Sequence, residues 1–441
     1  MVSSTLNNLC VRLCDNIAQQ WSASVADRCI LTVGLSGGLD SVVLLHALTQ
    51  LRNVLPLQLS AIHVHHGLSS HADEWAAFCQ KVCATWSVPL KLVKVTVSAS
   101  GEGVEAAARK ARYQAYAESG AEVVVLAHHR DDQIETFFLG ALRGGGLRSL
   151  AAMPDVRALT EHTILWRPLL PFSREQLKNY AEAMQLEHIE DDSNRNCIYL
   201  RNWLRLDGLP YWRAHLPYMD NQVEAAVSRL QDELALLDEV AEADWALLHA
   251  QQQGFDISLW QTLSAARRRQ QLRLFAQKNG LGMSTSASLT EFARQLMESK
   301  NGAQWSLPYA CVIYYDFRLW IDKKHASAQW PWFDLLPVSS MQLMKVGYLE
   351  WRCHNFGLVE IADEWIVRQV DVQDTIVLKG GRKKVKKLLQ ERKIPPFMRA
   401  VWPVLCDADN HCIAVINVAV AANVGVADGW MPLIQDLPIR L

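Results

Sequence analysis

The sequence predicts an α/β protein that opens with a doubly wound parallel sheet, and three observations carry that prediction. Short β-branched runs at 30–35, 59–64, 92–97, 122–127 and 164–170 alternate with amphipathic stretches at 41–51, 72–86, 104–118, 132–142 and 174–184. The runs are too apolar to face water on one side, so helices must cover both faces of the sheet. Polar clusters follow the runs, at the carboxyl ends of the strands, where doubly wound sheets hold their ligands.

After about residue 221 the alternation stops. Residues 221–254 contain no proline and no glycine before Gly254, and further helical patterns follow at 264–278 and 286–299. A helical middle domain is expected there. Beyond Trp305 the chain becomes β-rich, with 309–321 as a clear pair of strands, and 374–441 mixes short strands with one basic helix. These shifts predict three domains, at 1–215, 216–325 and 326–441, the last a smaller α+β domain.

Composition narrows the class. Half of the 441 residues are hydrophobic, a fifth are charged, and the formal net charge is −2, the profile of a water-soluble chain. Ten cysteines lack any disulfide rhythm, and the pairs Cys10/Cys14 and Cys79/Cys83 read as helix-face thiols in a reducing cytoplasm rather than metal ligands. No signal peptide is apparent, and no apolar run approaches the ~20 residues of a membrane span.

The first chemical motif is Ser36-Gly37-Gly38-Leu39-Asp40-Ser41, between a buried strand and a helix. Adjacent glycines let the backbone approach a ligand and aim successive N–H groups at it. The helix start adds unpaired donors and partial positive charge, so an anion is held well. Ser36 and Ser41 offer hydroxyls, while Asp40 can cap the helix or hold a magnesium ion through water. A Walker-type loop would place a lysine after its last glycine; here Leu39 and Asp40 stand there, which disfavours transfer of a terminal phosphoryl group. The alternative is an ordinary strand–helix turn with a serine cap.

Two further clusters follow later strands. Residues 61–75 carry His63, His65 and His66, expected as loop and stacking residues rather than zinc ligands. Residues 126–146 carry His128, His129, Asp131, Asp132 and Glu135. On a helix starting near Asp131, Asp132 and Glu135 share a face, and so do Asp131 and Glu135. Such a cluster can receive a cationic amine or act as its general base. Singly, Asp131 would be a helix cap and Glu135 a solvated residue.

The Ser36–Ser41 loop resembles the pyrophosphate loop of the N-type ATP pyrophosphatases, which split ATP between its α- and β-phosphates with magnesium assisting. Further strings make the resemblance specific: HVHHGL (63–68), GVEAAARKARY (103–113), the run at 127–153, RPLL (167–170), Asp191-Asp192-Ser193-Asn194, and Arg201-Asn202-Trp203-Leu204-Arg205. Together with 381–403 they are similar to the long form of the tRNA(Ile)-lysidine synthetases, over most of the chain. That family has an adenine nucleotide α-hydrolase-like, Rossmann-like catalytic domain. The resemblance implies ATP-dependent adenylation of the C2 oxygen of the wobble cytidine in a CAU anticodon. The ε-amine of free L-lysine then displaces AMP, leaving lysidine and changing the codon read from AUG to AUA. It implies that Ser36, Gly37, Gly38, Leu39, Asp40 and Ser41 bind the ATP phosphates and that His63 lies near the adenine or ribose. It also implies that Asp132 and Glu135 receive the lysine amine, with Asp131 a competing base. His128 and Arg109 would line the same site, with Arg112 a weaker candidate. A homodimer is compatible with the family.

Eight of the fifteen residues from Lys379 to Lys393 are Lys or Arg, a pattern that attracts phosphate backbones. A solvated basic helix explains it equally well on charge alone; the family resemblance implies a grip on the tRNA acceptor stem by Arg382, Lys383, Lys384 and Lys387. Arg201 and Arg205, four apart, are expected to contact phosphates near the anticodon or to pair with the acids at 187–192. The segment 328–337 reads as linker and packing. Two positions depart from the family pattern: Arg130, where an apolar residue is expected, and the run Gly144-Gly145-Gly146. Competing readings are a cytidine 2-thiolase, which would need a Cys-x-x-Cys pair that the chain lacks, an amide-forming synthetase, which needs no basic tail, and a non-catalytic tRNA-binding module.

Overall fold

The computed structural model describes residues 2–25, 27–67, 69–96, 104–190, 200–249, 255–299, 302–322, 336–337, 349–359, 362 and 365–434. The Asp-Asp-Ser-Asn run at 191–194, and all of 328–337 but its last two residues, lie outside them. The chain divides into two compact units, Met1–Asp238 and Glu239–Leu441.

In the first unit, helix α1 (Val2–Ser24) precedes strand β1 (Ile30–Gly34), helix α2 (Leu39–Leu51), β2 (Gln58–His65), α3 (Ala72–Thr85), β3 (Leu90–Lys94) and α4 (Val104–Ala117). Then come β4 (Val123–Val125), α5 (Arg130–Leu142), α6 (Leu147–Leu150), β5 (Val156–Ala158), β6 (Ile164–Trp166) and α7 (Arg174–Ala183). The sheet order is β3-β2-β1-β4-β6-β5. β1 lies between β2 and β4, so its carboxyl end is the switch point where such sheets bind ligands. Five strands are parallel as expected. The sixth, β5, is antiparallel to β6, which corrects the wholly parallel sheet. Its register pairs Val156 with Trp166 across a turn closed by the Leu159 amide on the Thr163 carbonyl, 2.9 Å. Three residues with little apolar periodicity leave almost no signal for such an edge strand.

The apolar runs are buried as their composition demands. Leu31, Val33, Leu44, Leu45, Val123, Val125 and Trp166 are each at most 1 % exposed, and α1 adds Leu13, Ile17 and Trp21 to the same core. Full burial of such a side chain contributes about 1.5–3 kcal/mol, enough to fix the strand order against competitors. The cysteines of this unit join the packing: Cys79 and Cys83 are buried, and burial pushes their thiols up to about 12 and about 11. They are structural thiols in the described residues, all of which are free.

The unit continues through α8 (Leu200–Trp203), a π-helical turn (Leu204–Gly208), α9 (Leu209–His215) and the part of α10 (Met219–Leu248) up to Asp238. Leu209, Met219, Val223 and Val227 pack with Ile134 of α5, and Trp212 meets the Phe138 ring at 4.8 Å. In the glycine run after α5 the steric demand falls on Gly145, where a Cβ would sit 2.5 Å from the Ser149 Cβ and 2.8 Å from the Gly140 carbonyl. Arg130, where an apolar residue was expected, has its Nε 3.6 Å from the Glu224 carboxylate of α10.

The second unit contains α11 (Ile257–Thr262), α12 (Ala265–Lys278) and α13 (Ser286–Glu298), with Asp256, Ser264 and Thr285 capping them. β7 (Gln304–Ser306), β8 (Cys311–Tyr315) and β9 (Arg318–Asp322) form an antiparallel sheet, so the predicted strand pair is present. Asp316 and Phe317 turn the hairpin at φ 49° and 59°. The C-terminal part holds a five-stranded and a four-stranded sheet, and a separate hairpin of Thr375–Leu378 and Gly381–Lys384 leads into helix Val385–Glu391. The basic stretch is therefore half hairpin and half helix, where one helix was expected.

Candidate active site

Every candidate residue after β1, β2 and β4 lies at the carboxyl end of its strand. The loop after β1 is built by its own side chains. Gly37 takes φ +89°, and a Cβ there would sit 2.7 Å from Ile189 Cδ1, so only glycine fits. The Ile189 amide donates to the Gly37 carbonyl at 2.9 Å. The Ser36 and Ser41 hydroxyls lie 3.1 Å apart, Ser41 Oγ donates to the Gly38 carbonyl at 2.9 Å, and the Ser36 amide donates back to Ser41 Oγ at 3.2 Å. Gly38 starts α2 in an extended conformation, so the amides of Leu39 and Asp40 belong to the first turn, where no helical carbonyl can pair with them. The product is a rigid anion cradle at a helix start.

His63 is not on a loop: β2 runs through His65, and both rings are buried. His63 Nδ1 is 2.8 Å from the Leu35 carbonyl, which can only accept, so this nitrogen carries the proton and Nε2 is left as an acceptor. Burial, aided by His65, holds its pKa below the ordinary value despite the Leu35 bond. The ring is thus tied to the residue that precedes the loop. His66 is pushed down to about 4 by burial and by Arg112.

The carboxylates of α5 are the centre of an ion network. Asp132 is 8 % and Glu135 1 % exposed. Asp132 Oδ1 accepts from Arg201 Nη2 at 2.9 Å and Arg205 Nη2 at 3.1 Å, and its Oδ2 accepts from the His129 amide at 3.1 Å. Glu135 accepts from Arg201 Nε at 2.8 Å, from Arg205 Nε at 2.6 Å and from Arg205 Nη2 at 3.0 Å. Asp131 is held elsewhere, by the Arg174 amide at 2.9 Å and Arg213 Nη2 at 2.8 Å. It ties α5 to α7 and α9. Burial works against ionisation of Asp132, yet His129 and Arg201 outweigh it and hold the carboxyl below its usual range. Asp131 is likewise held low, against its burial, by the Arg174 amide and Arg213.

Arg201 and Arg205 therefore bind the α5 carboxylates, where phosphate contacts or pairing with the 187–192 acids were expected. The reason is electrostatic: two carboxylates this deeply buried need charged partners, and the helix carrying Arg201 and Arg205 packs directly against α5. The π-helical turn at Leu204–Gly208 sets the pitch at which Arg205 arrives.

His129, which residue patterns did not single out from its neighbour, links the two halves. It is 1 % exposed, with Nε2 3.4 Å from Asp132 Oδ2 and 3.6 Å from Asp40 Oδ2. Burial alone would lower its pKa, but Asp40 and Asp132 raise it, favouring imidazolium. His128 behaves oppositely: burial, with Arg167, Arg201 and Arg109 nearby, pushes it down to about 4 although Asp132 opposes this. It is a neutral imidazole at pH 7. The signal for His129 was present in its place beside Asp131 and Asp132 at the end of a strand. Which of two adjacent histidines turns inward depends on the strand's pleat.

Asp40 Oδ1 is buried without a hydrogen-bond partner and points from the first turn of α2. Such an orphaned carboxylate oxygen beside an anion cradle fits a magnesium ion that arrives with phosphate oxygens and waters. Among the described residues no group of three metal-ligating side chains is assembled.

Of the basic candidates, Arg382, Lys384 and Lys387 are exposed, whereas Lys383 pairs with Glu391. Arg109 is exposed on α4, its Nη2 donating to the Tyr113 hydroxyl at 3.1 Å.

A parallel sheet with a lysine-free phosphate loop at its switch point defines an ATP-binding PP-loop protein, and the PP-loop domain family matches residues 11–211. The TilS substrate binding domain matches 255–320 and the TilS substrate C-terminal domain 366–431. The chain is 43 % identical to a tRNA(Ile)-lysidine synthase of Neisseria gonorrhoeae, over 92 % of each chain. It is 42 % identical to that of Neisseria meningitidis serogroup B, over 92 % of this chain and 96 % of the relative. With the enzyme of Chromobacterium violaceum the identity is 38 %, over 96 % of this chain and 99 % of the relative. The chain belongs to the tRNA(Ile)-lysidine synthase family.

Proposed function

We propose that this chain ligates L-lysine to C2 of the wobble cytidine of CAU-anticodon tRNA(Ile). The observation that carries the reading is identity of 38–43 % to tRNA(Ile)-lysidine synthases along nearly the whole chain. ATP adenylates the C2 oxygen and pyrophosphate leaves; the ε-amine then attacks C2, AMP departs with that oxygen, and the amine loses its proton. The enzyme is ATP-using; magnesium, held through Asp40, is the finer part of the proposal. Its place in this reading is the cytoplasm, with its tRNA substrate; among the described residues no helix is long and apolar enough to cross a membrane.

In this reading Ser36, Gly37, Gly38, Leu39, Asp40 and Ser41 hold the departing pyrophosphate, and a lysine on the loop is unnecessary because no terminal phosphoryl group moves. His63 keeps its acceptor nitrogen for the nucleoside. Asp132 and Glu135 receive the substrate amine, flanked by His128 and Arg109. Asp131, committed to Arg213 and the Arg174 amide, keeps a structural role. Asp132 and Glu135 already share Arg201 and Arg205, and Asp131 shares Arg213 with Asp220. A lysine ammonium must therefore displace a guanidinium, and bound ATP is the nearby anion that can take one. Arg382, Lys384 and Lys387 serve the acceptor stem. The proposed division is a catalytic domain at 1–215, a helical domain at 216–325 and a tRNA-binding domain at 326–441.

The test is pyrophosphate release with ATP, lysine and tRNA, paired with the mass of the CAU-anticodon fragment. Release that needs both lysine and tRNA, with a fragment heavier by lysine less one water, is expected. Equal turnover without either, or an unchanged fragment mass, refutes it. Light scattering tests the homodimer.

A further inference from the structure

The carboxyl end of the sheet holds a second concentration of charge, on the far side of β4 from the phosphate loop. Arg109 and Arg157 both lie over the Tyr113 ring, their guanidinium carbons 4.9 and 5.3 Å from its centroid. Arg167, directly after β6, joins them through the Tyr113 hydroxyl. It is 2 % exposed; its Nη1 donates to the Pro154 carbonyl at 2.6 Å, and its Nε is buried without a partner. His128 Nδ1, at the end of β4, is also buried and unpartnered. Among the described residues none of the three arginines has a carboxylate partner, and the charged groups acting on Arg167 are the other two arginines.

A buried guanidinium beside two like charges is costly, and its bonds to Pro154 and Tyr113 leave Nε unpaired. Its natural complement is an anion with several oxygens, which a planar donor fork grips well. We propose that Arg157, Arg167 and Arg109, arranged on Tyr113, form a subsite for a backbone phosphodiester of the RNA substrate next to the reacting nucleotide. Position separates it from the ATP cradle. Sheet order places β6 two strands and β5 three strands from β1, roughly 10–14 Å at ~4.8 Å per strand. The two sites bracket the α5 carboxylates, so a nucleotide pinned here by its phosphate presents its base between ATP and the amine. The Tyr113 face is taken by guanidiniums and is not offered to a base, which fits phosphate binding without base readout.

The subsite rests on the proposed reading for the identity of the RNA. The test is therefore binding, measured without turnover: retention of an unmodified CAU-anticodon tRNA transcript across a salt series, for wild type and Arg157→Gln. Arg157 is exposed, so the change should not impair folding. Roughly 3–10-fold weaker binding is expected, with the slope of log K against log salt smaller by about one and the KM for ATP unchanged. Arg167→Lys, which keeps charge but loses the fork, should weaken binding similarly. Unchanged affinity and slope in Arg157→Gln overturn the subsite, as does a raised ATP KM with unchanged RNA binding, which would assign the arginines to the nucleotide. If wild type binds RNA but shows no lysine-dependent turnover, the functional reading fails and the subsite is still judged by the binding result.

Discussion

Arg205→Ala removes three hydrogen bonds from the centre of the site: both of those Arg205 makes to Glu135 and the one to Asp132. Glu135 is 1 % exposed and would retain only Arg201 Nε. Breaking a buried pair by removing one partner costs about 3–5 kcal/mol, because the surviving charge stays buried. The Arg205 side chain is 23 % exposed, so water reaches part of the vacated space and the lower end applies, about 3 kcal/mol. For a unit of this size that corresponds to a Tm lower by roughly 5–10 °C. Urea denaturation followed by near-UV circular dichroism measures the loss. Arg205→Ala with Glu135→Gln should recover part of it, since no uncompensated charge remains. Guanidinium at millimolar concentration, entering the vacated fork, should stabilise Arg205→Ala and not wild type. A loss under 0.5 kcal/mol together with no guanidinium response would show that the carboxylates are not charged and paired as described.

The remaining predictions concern the loop, the amine, the tail and pH. Gly37→Ala forces a side chain into φ +89° and against Ile189, so ATP affinity should fall at least tenfold by equilibrium dialysis; a change under twofold would mean the cradle relaxes freely. Asp132→Asn should abolish turnover while leaving ATP binding within threefold, and persistent turnover would move the amine contact to Glu135. Lys384→Glu with Lys387→Glu reverses two exposed charges and should weaken tRNA binding tenfold or more at low salt, with a flatter salt dependence; filter retention with unchanged affinity would reject the grip. His128 is held down to about 4, so between pH 4 and about 6.5 the unfolded chain binds the proton that the folded one refuses. Stability should therefore rise with pH across that window, by up to about 1.4 kcal/mol per unit, and His128→Gln should flatten the rise in urea midpoints. Identical slopes in the two proteins would mean that the ring titrates normally.

Much of the first unit was legible because its strands are buried on both faces. Runs such as 30–34 and 123–125 are buried at their centre or throughout, and of the two glycines in the phosphate loop Gly37 is the one no side chain could replace. Strand β5 was not legible, since three edge residues held by one hairpin carry little hydrophobic signal. The placing of Asp132 and Glu135 on one face of α5 was legible, but their counter-ions were not. Arg201 and Arg205 lie some seventy positions downstream of Asp132 and Glu135, and four-residue spacing says only that they share a face, not which surface that face meets. Arg167 was visible merely as part of a motif; its significance is that it is buried, which no local pattern reports. The basic stretch misled in form because charge dominates its composition. Val385, Leu388 and Leu389 confine the helix to the second half, after Gly380 and Gly381 have turned a hairpin.

The π-helical turn at Leu204–Gly208 has a consequence for how this stretch can vary in length. Arg201 just upstream and Arg205 within it reach the carboxylates; downstream, Leu209 joins the Ile134 cluster and Trp212 meets Phe138. Each residue added to or removed from a helix rotates everything beyond it by about 100°. The wider pitch of the π turn absorbs one extra residue, so a deletion inside it that restored α-helical pitch would leave both sets in place, whereas one residue added or removed in the flanking α-helical turns would swing one set away from its partners. The flanking turns, Leu200–Trp203 and Leu209–His215, are thus locked in length even where their side chains are free to change, and a one-residue gap in either would be more damaging than most substitutions.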